Sequence, residues 1–237
     1  MSAGGEWEPD AENWVRWARR PDEAYWFYRD RFFDRIVGRP GRRTIEIGCG
    51  EGRVARDLAA RGHRVVAVDT AATLVACARA ADSGGACAYL LADGAALPFA
   101  ACSFDVAVAY NSLQVVADMA ATVHEASRVL GRGGRLCACM AHPVTDLGRF
   151  TGEATRRRFT LRPRYFETAR VDERVERDGL EMTFRGWTYT LEQYADALDR
   201  ARLRVESILE PRPVGAPQTF AQWHDVPLFM FLSAVKV

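Results

Sequence analysis

The chain has 237 residues, the size of one large domain or of one domain with a cap. Its hydrophobic content of 49% is enough for a full core, and its formal net charge of +1 does not indicate a nucleic-acid partner. No apolar run approaches the ~20 residues that a membrane span requires, so no membrane partner is expected.

The acidic, polar start of the chain has none of the features of a signal peptide, and residues 1–10 are predicted to be disordered. The six cysteines include no C-x-x-C pair and lie in apolar surroundings, as small core residues do. We therefore expect no disulfide framework and no bound metal. The expected location is the cytoplasm, where cysteines stay reduced.

Residues 11–37 have a helical pattern with many aromatic side chains, and a proline divides them into two predicted helices. Trp14 and Trp17 lie three residues apart and hence on one face, as do Tyr25 and Tyr28. Most of these rings are expected to pack against the edge of a sheet. The alternative is a lid, in which Tyr25 or Tyr28 reaches a cationic ligand, because aromatic faces attract cations.

The stretch from Thr44 to Asp69 predicts a strand, a glycine turn, a helix and a second strand that ends in an acid. Gly48, Gly50 and Gly52 let the chain turn sharply and let a ligand lie against bare backbone. The two hydroxyls of a ribose can both donate to the carboxylate of Asp69. This unit therefore predicts the nucleoside-binding half of a doubly wound sheet.

Two residues of this stretch argue against a dinucleotide. Arg53 occupies the last glycine position of the G-x-G-x-x-G pattern. Glu46, two residues before the first glycine, would repel a pyrophosphate and would suit a ligand that carries an ammonium group. A nicotinamide-dependent dehydrogenase is therefore disfavoured.

With its E-x-G-x-G-x-G pattern, the stretch resembles the class I S-adenosylmethionine-dependent methyltransferases, in particular the small-molecule (type 11) group similar to the ubiquinone and menaquinone methyltransferases. The resemblance implies S-adenosyl-L-methionine as the cofactor and S-adenosyl-L-homocysteine as its product. Glu46 would meet the methionine ammonium group through water or backbone, and Asp69 would bind the ribose. The residues implied to contact the cofactor in this stretch are Glu46, Gly48, Cys49, Gly50, Asp69 and Thr70.

A third strand is predicted over residues 86–91, and Asp93 and Gly94 follow it. An acid at this place in the resembled family accepts the adenine amino group, so the resemblance implies that role for Asp93. The alternative is a turn aspartate before a glycine, which is common.

The fourth predicted strand, 103–110, leads into a loop at the carboxyl end of a central strand, where open α/β sheets bind ligands. Asn111 and Leu113 are expected to line the methionine and acceptor side of the site, and Gln114 is expected to contact the acceptor. The loop lacks the N/D-P-P-Y/F motif of nucleic-acid methyltransferases.

A helix over 119–130, a glycine turn over 131–134 and a fifth strand over 135–140 complete the part of the chain that resembles the family, residues 44–142. His142 stands at the carboxyl end of the fifth strand. It is the leading candidate for a general base, and the alternative is a histidine that is hydrogen-bonded to its own loop.

Residues 143–189 form a connection far longer than the usual ~4–6 residues, so we expect them to have their own structure and to cover the acceptor. The arginine cluster Arg156 to Arg164 would suit a carboxylate or phosphate on the acceptor. The alternative is a solvated face. The predicted acceptor contacts are Tyr28, Gln114, Arg158, Tyr165 and Trp187.

A helix over 191–201, a strand over 203–209 and an antiparallel last strand over 227–237 complete the chain. The predicted fold is α/β, with a Rossmann-like seven-stranded, mostly parallel sheet, helices on both faces and a reversed last strand. The expected organisation is a single methyltransferase domain, 1–237, with an N-terminal lid over 11–37, a cofactor-binding core over 38–142, an acceptor cap over 143–189 and a C-terminal core over 190–237.

The expected function is S-adenosylmethionine-dependent methyl transfer to an oxygen or nitrogen of a small molecule by in-line displacement, with a specialised metabolite as one option and a monomer or homodimer as the assembly. Carbon acceptors, a peptide acceptor and a cofactor-binding protein repurposed for another reaction or for binding only remain open. Alignment of the reactants can contribute ~7–11 kcal/mol, whereas a general base adds ~10²–10⁴-fold. An unmistakable base is therefore not required, and His142 and Tyr25 are the catalytic candidates.

Overall fold

The structure, a computed structural model, describes residues 6–39, 41–152, 158–161 and 165–237. After a short 3-10 helix (Glu8–Asp10) the chain forms α1 (Ala11–Ala18), α2 (Tyr25–Phe32), a π-helical turn (Phe33–Val37), β1 (Arg43–Ile47), α3 (Arg53–Ala60), β2 (Arg64–Asp69), α4 (Ala72–Ala81), β3 (Cys87–Leu91), β4 (Phe104–Tyr110), α5 (Met119–Val129) and β5 (Leu130–Ala141). Then follow α6 (Pro143–Asp146), β6 (Gly148–Thr151), β7 (Arg158–Leu161), β8 (Arg170–Arg177), β9 (Leu180–Trp187), α7 (Leu191–Arg200), β10 (Leu203–Leu209), a 3-10 helix (Gln218–His224) and β11 (Phe229–Lys236).

Seven of these strands form one sheet in the order β10-β11-β5-β4-β1-β2-β3. The pairs β1–β2, β1–β4, β2–β3 and β4–β5 are parallel, whereas β11 runs antiparallel to both of its neighbours, β5 and β10. The predicted seven-stranded, mostly parallel sheet with a reversed last strand is therefore confirmed.

The sheet is covered on both faces, as β4 illustrates. Val106, Val108 and Tyr110 point into a core that contains side chains of α2, α3 and α4. Ala107 and Ala109 point into the opposite core, which contains side chains of α5 and α7. Alternation at every second residue places successive side chains on opposite faces of a strand, so the continuous apolar run of β4 reflects burial on both sides.

The N-terminal segment divides at the proline, as predicted, but its two helices differ in position. Tyr25 and Tyr28 of α2 are 1% and 0% exposed and belong to the main core. The start of the segment differs from the predicted disorder, because residues 6–10 are ordered. Trp7 packs edge-to-face on Trp14 with ring centroids 6.0 Å apart, and the Glu8 carboxylate accepts a hydrogen bond from Thr73 N at 3.2 Å.

The fifth strand begins five residues earlier than predicted. Leu130 already pairs with Phe104, and Arg135 pairs with Val106, so the glycine-rich residues 131–134 lie within β5 and form an irregularity of its ladder. Gly133, with φ of +76°, takes the left-handed backbone that this irregularity requires.

The connection after β5 has its own structure, as expected, and it consists of α6 and two hairpins outside the main sheet, β6–β7 and β8–β9. The second hairpin packs on α1, because Leu180 and Met182 form one apolar cluster with Trp17. Of the predicted arginine cluster, Arg156, Arg157, Arg162 and Arg164 lie outside the described residues.

Within the described ranges, every helix is too short or too polar to cross a lipid bilayer.

Candidate active site

The carboxyl ends of β1, β2 and β4 open into a cleft of about 1020 Å³, which the N-terminal segment and the two hairpins border on the other side. The turn after β1 forms its floor. Gly48 N and Cys49 N both donate to Val68 O at 2.9 Å, which ties the turn to β2. Gly48 has φ of +74°, and a Cβ there would lie 2.5 Å from Ser112 Cβ. Only glycine fits at this position, because Ser112 packs directly against the turn.

Asp69, the last residue of β2, holds the same turn. Its Oδ2 accepts from Gly50 N at 2.8 Å and its Oδ1 accepts from Ala71 N at 3.0 Å. Burial raises the pKa of Asp69, while these backbone donors lower it. Each carboxylate oxygen has a second lone pair, so Asp69 can still accept the two hydroxyls of a ribose from the cleft.

Glu46 of β1 is 1% exposed and lines the cleft, and its Oε2 finds no hydrogen-bond partner among the described residues. Burial raises the pKa of Glu46 well above the usual range, and the negative charges of Asp69 and Glu51 raise it further. Glu51 is also buried but has partners, since Arg56 Nη2 donates to it at 2.9 Å. Glu46 is thus an orphaned buried acid, which suits the ammonium group of a ligand.

The ten residues predicted to contact the cofactor fall into two groups according to whether they line the cleft. Nine of the ten line the cleft, namely Glu46, Gly48, Cys49, Gly50, Asp69, Thr70, Asp93, Gly94 and Asn111. Leu113 does not, because its side chain is 3% exposed and lies in the sheet core. Asp93 accepts from Ala95 N at 2.9 Å, which is the contact of a turn aspartate, and it faces the cleft as well.

The two predicted catalytic residues do not reach the cleft. Tyr25 donates its hydroxyl to Asp57 Oδ2 at 2.6 Å, and its ring packs edge-to-face on Tyr110. His142 caps α6, because its Nδ1 accepts from Val144 N at 3.2 Å while its Nε2 lies 2.9 Å from Glu210 Oε1. Burial lowers the pKa of His142. Both contacts are those of structural residues, which corrects the expectation that these two groups meet the acceptor.

The predicted acceptor contacts also divide. Gln114 and Trp187 line the cleft. Tyr28 does not, because its ring is fully buried against Phe229. Arg158 is exposed on β7, and the hydroxyl of Tyr165 accepts from Leu191 N at 3.3 Å.

The aromatic side chain that lies over the glycine turn is Trp14, for which the sequence analysis predicted no ligand contact. A Cβ on Gly50 would lie 2.9 Å from Trp14 Nε1, so the indole covers the glycine turn. Arg53 holds this arrangement, because its guanidinium lies 5.6 Å from the Trp14 ring and donates to Glu23 Oε2 at 2.6 Å. The three-residue spacing of Trp14 and Trp17 was the available signal, but spacing alone does not show which of two aromatic helices covers the cleft.

Ion pairs join the start of the N-terminal segment to the second hairpin. Arg170 pairs with Glu6 at 2.9 Å, and Arg185 pairs with Asp10. Among the described residues, no group of three or more His, Cys, Asp or Glu side chains is arranged to hold a metal ion. The cleft therefore combines a glycine floor, two buried acids and an aromatic cover.

Residues 45–138 match the family model of a methyltransferase domain. Over 112 residues the chain is 37% identical to a nocamycin O-methyltransferase of Saccharothrix syringae, and the match covers 45% of this chain and 40% of that protein. The chain spans about two fifths of the length of the curated relatives it matches first.

Solved structures agree over a larger part of the chain. An S-adenosylmethionine-dependent methyltransferase from Mesorhizobium loti superposes with a TM-score of 0.73 at 24% identity, covering 90% of this chain and 98% of that one. The cyclase SpnF superposes with a TM-score of 0.63 at 16% identity, covering 98% and 94%. At these identities the likeness establishes the fold alone.

Proposed function

Because the chain carries a methyltransferase domain of the class I, S-adenosylmethionine-dependent kind, we propose that it transfers a methyl group to an oxygen or nitrogen of a small molecule. One observation carries this proposal. A single cleft of about 1020 Å³ is lined both by the glycine turn with its buried acids and by aromatic side chains of the hairpins. A cofactor and an acceptor can therefore lie side by side in it.

The residues present fit S-adenosylmethionine. The orphaned carboxyl of Glu46 would meet the methionine ammonium group, the backbone at Gly48 and Gly50 would permit close approach, and Asp69 and Asp93 would hold the ribose and adenine ends. The bound cofactor supplies a methyl group that a sulfonium has already activated. What the chain contributes is alignment and exclusion of water, and Trp14 over the glycine turn serves the second task.

A second candidate is a protein that binds the same cofactor and catalyses a different reaction or none. The likeness of the fold to that of the cyclase SpnF favours keeping this candidate, because one fold supports several reactions. The retained acids of the cofactor side do not separate the two functions, since both require the cofactor.

The test is transfer from methyl-labelled S-adenosylmethionine into an extract of the source organism, followed by separation by size. Label in the small-molecule fraction supports the first function, and label in protein or peptide contradicts it. Binding measured by calorimetry without any transfer supports the second. Asp69→Ala serves as the negative control, because it removes the ribose contact.

We further propose a monomer or homodimer that works in the cytoplasm and binds neither nucleic acid nor membrane. Light scattering of the purified protein measures its oligomeric state. Retention on heparin or on anionic vesicles at physiological salt would contradict the proposal that it binds neither nucleic acid nor membrane.

A further inference from the structure

Asp146 is an acid of the cleft that no motif indicates. It is the last residue of α6, the short helix that follows β5, and its N–H donates to His142 O at 3.0 Å. Its partly buried side chain lines the cleft that also contains Glu46 and Gln114. It therefore lies at the carboxyl end of a central strand, on the wall formed by the hairpins.

The surroundings of Asp146 leave its carboxyl group without a cation. Glu173 of β8 is the titratable group that acts on it electrostatically, Asp146 in turn raises the pKa of Tyr194 of α7, and Arg149 of β6 lines the same cleft. Among the described residues, no hydrogen-bond donor or cation contributes to its ionisation. Burial, with the charge of Glu173 as a second cause, raises the pKa of Asp146 to about 7. A carboxyl group in this state can both accept and release a proton at neutral pH.

Three of the four arginines of the second hairpin are paired with acids, and the fourth, Arg177, stacks on the Trp17 ring at 5.1 Å. Arg170 pairs with Glu6 at 2.9 Å, and Arg185 pairs with Asp10. Arg174 pairs with an acid of the facing strand. These guanidinium groups are thus committed to carboxylates of the chain. Two acids on the acceptor wall disfavour a carboxylate or phosphate close to the reacting group.

Aromatic side chains also line this part of the cleft. Phe150 packs on Phe159 with ring centroids 4.9 Å apart and on Trp223 at 5.3 Å, and all three line the cleft together with Trp187. Gln114 Oε1 is buried and finds no partner among the described residues. An amide oxygen accepts hydrogen bonds, so this atom can accept one from a donor group on a ligand.

Building on the proposed methyl transfer, we infer that Asp146 takes the proton from a hydroxyl group of the acceptor, and that the acceptor is an uncharged, largely aromatic molecule. The acceptor oxygen forms a bond to the methyl carbon as the bond from that carbon to the donor sulfur breaks. The hydroxyl proton passes to a carboxylate oxygen of Asp146, and the sulfur keeps the electron pair of the broken bond. The positive charge of the donor and the negative charge of Asp146 are both neutralised.

The first test measures Asp146 without cofactor or acceptor. The carboxyl carbons of aspartate are followed by carbon-13 NMR as a function of pH, and Asp146→Asn assigns the signal. The expected titration midpoint is about 7, and Glu173→Gln should lower it because a negative charge is removed. A midpoint near the ordinary ~3.9 would overturn the inference.

The second test uses the full chain with the acceptor that the labelled product of the extract identifies. Asp146→Asn should lower kcat/KM by ~10²–10⁴-fold and abolish the rise of kcat/KM through neutral pH, while the calorimetric Kd for S-adenosylmethionine stays within about twofold. Asp196→Asn, on the exposed side of α7, is the matched control and should leave each value unchanged.

The product decides the acceptor class. A methyl ether, stable to mild alkali, supports a hydroxyl acceptor. Label released by alkali as methanol reveals a methyl ester, and label on nitrogen reveals an amine; either overturns the inference while leaving methyl transfer intact. Cofactor binding without any transfer overturns the proposed function itself, and the midpoint in the cofactor-free protein still reports on Asp146 separately.

Discussion

Replacing Glu46 by glutamine should stabilise the cofactor-free protein and at the same time weaken the binding of S-adenosylmethionine. The carboxyl group of Glu46 is buried in β1, and one of its oxygens has no partner among the described residues. Burial raises its pKa well above the usual range, with Asp69 and Glu51 as further causes. In the free protein the charged form of Glu46 is therefore unfavourable, and either protonation or a ligand with a positive group relieves it.

The two effects have separate magnitudes. Between the unfolded and the folded pKa of Glu46, the wild type loses up to ~1.4 kcal/mol of stability for each pH unit; glutamine has the same shape but does not ionise, so the variant avoids this loss and its free energy of unfolding should be higher near pH 7. Since the folded pKa is raised, wild-type stability falls as pH rises from the unfolded value of ~4.3 through the folded value. The advantage of the variant therefore grows over that range. A lost charged hydrogen bond of ~1.5–3 kcal/mol weakens the cofactor Kd about 10- to 100-fold.

Denaturant unfolding between pH 5 and 9, with calorimetry on the same samples, measures both effects. The matched control is Glu51→Gln, because Glu51 is equally buried but pairs with Arg56 at 2.9 Å and Arg19 at 3.3 Å. Its replacement should lower the stability. If Glu46→Gln also lowered the stability, or if it left the Kd unchanged, our account of Glu46 as an unpartnered ligand group would be refuted.

Three further predictions concern the turn, the lid and the cap of α6. Gly48→Ala should destabilise the protein more than Gly38→Ala in denaturant unfolding; both glycines have φ near +75° to +80°, but only at Gly48 would a Cβ collide, so equal losses would contradict the close packing of the turn. Asp10→Asn removes the ion pair with Arg185 and should increase the rate of cofactor dissociation several-fold in stopped-flow fluorescence. Added salt should increase this rate in the wild type but not in the variant. An unchanged dissociation rate would mean that the N-terminal segment does not close the cleft. His142→Gln should lower the free energy of unfolding by ~0.5–2 kcal/mol, because the cap of α6 is lost, without changing the pH profile of transfer. Burial lowers the pKa of His142, so wild-type stability should fall as the pH drops below ~6.5. A changed pH profile of transfer would instead indicate that His142 acts as a base.

The cofactor side of the cleft could be predicted from the sequence because one short stretch supplies most of it. Gly48 and Asp69 belong to the same strand–turn–helix–strand unit, and the backbone of the turn allows few other residues. The side chain of Leu113 turns into the sheet core, which its position in a loop does not reveal.

The sequence indicates an aromatic segment that could cover the cleft, but it does not show which residue of that segment lies over the glycine turn. Trp14 and Tyr25 both lie on aromatic helices, and the spacing within each helix gives its face but not its neighbour. Tyr25 finds a hydrogen-bond partner in Asp57, 32 residues away, whereas Trp14 meets Gly50 and Phe184. Contacts of that range depend on how the helices cross the sheet, which local patterns do not encode.

The acceptor side shows why charge cannot be inferred from composition. The expectation of an anionic acceptor comes from the cluster Arg156 to Arg164, most of which lies outside the described residues, so it stays a prediction. Of the arginines of β8 and β9, Arg170 and Arg185 are occupied by Glu6 and Asp10 of the N-terminal segment, more than 160 residues away. Asp146 looks unimportant in the sequence, since a single aspartate before a leucine and a glycine matches no motif. Once the arginines are paired, it is Asp146 that faces the cleft without a cation. The charge that an acceptor meets is thus set by the residues that folding leaves unpaired, and replacing Asp146 tests that conclusion more directly than replacing any of the arginines.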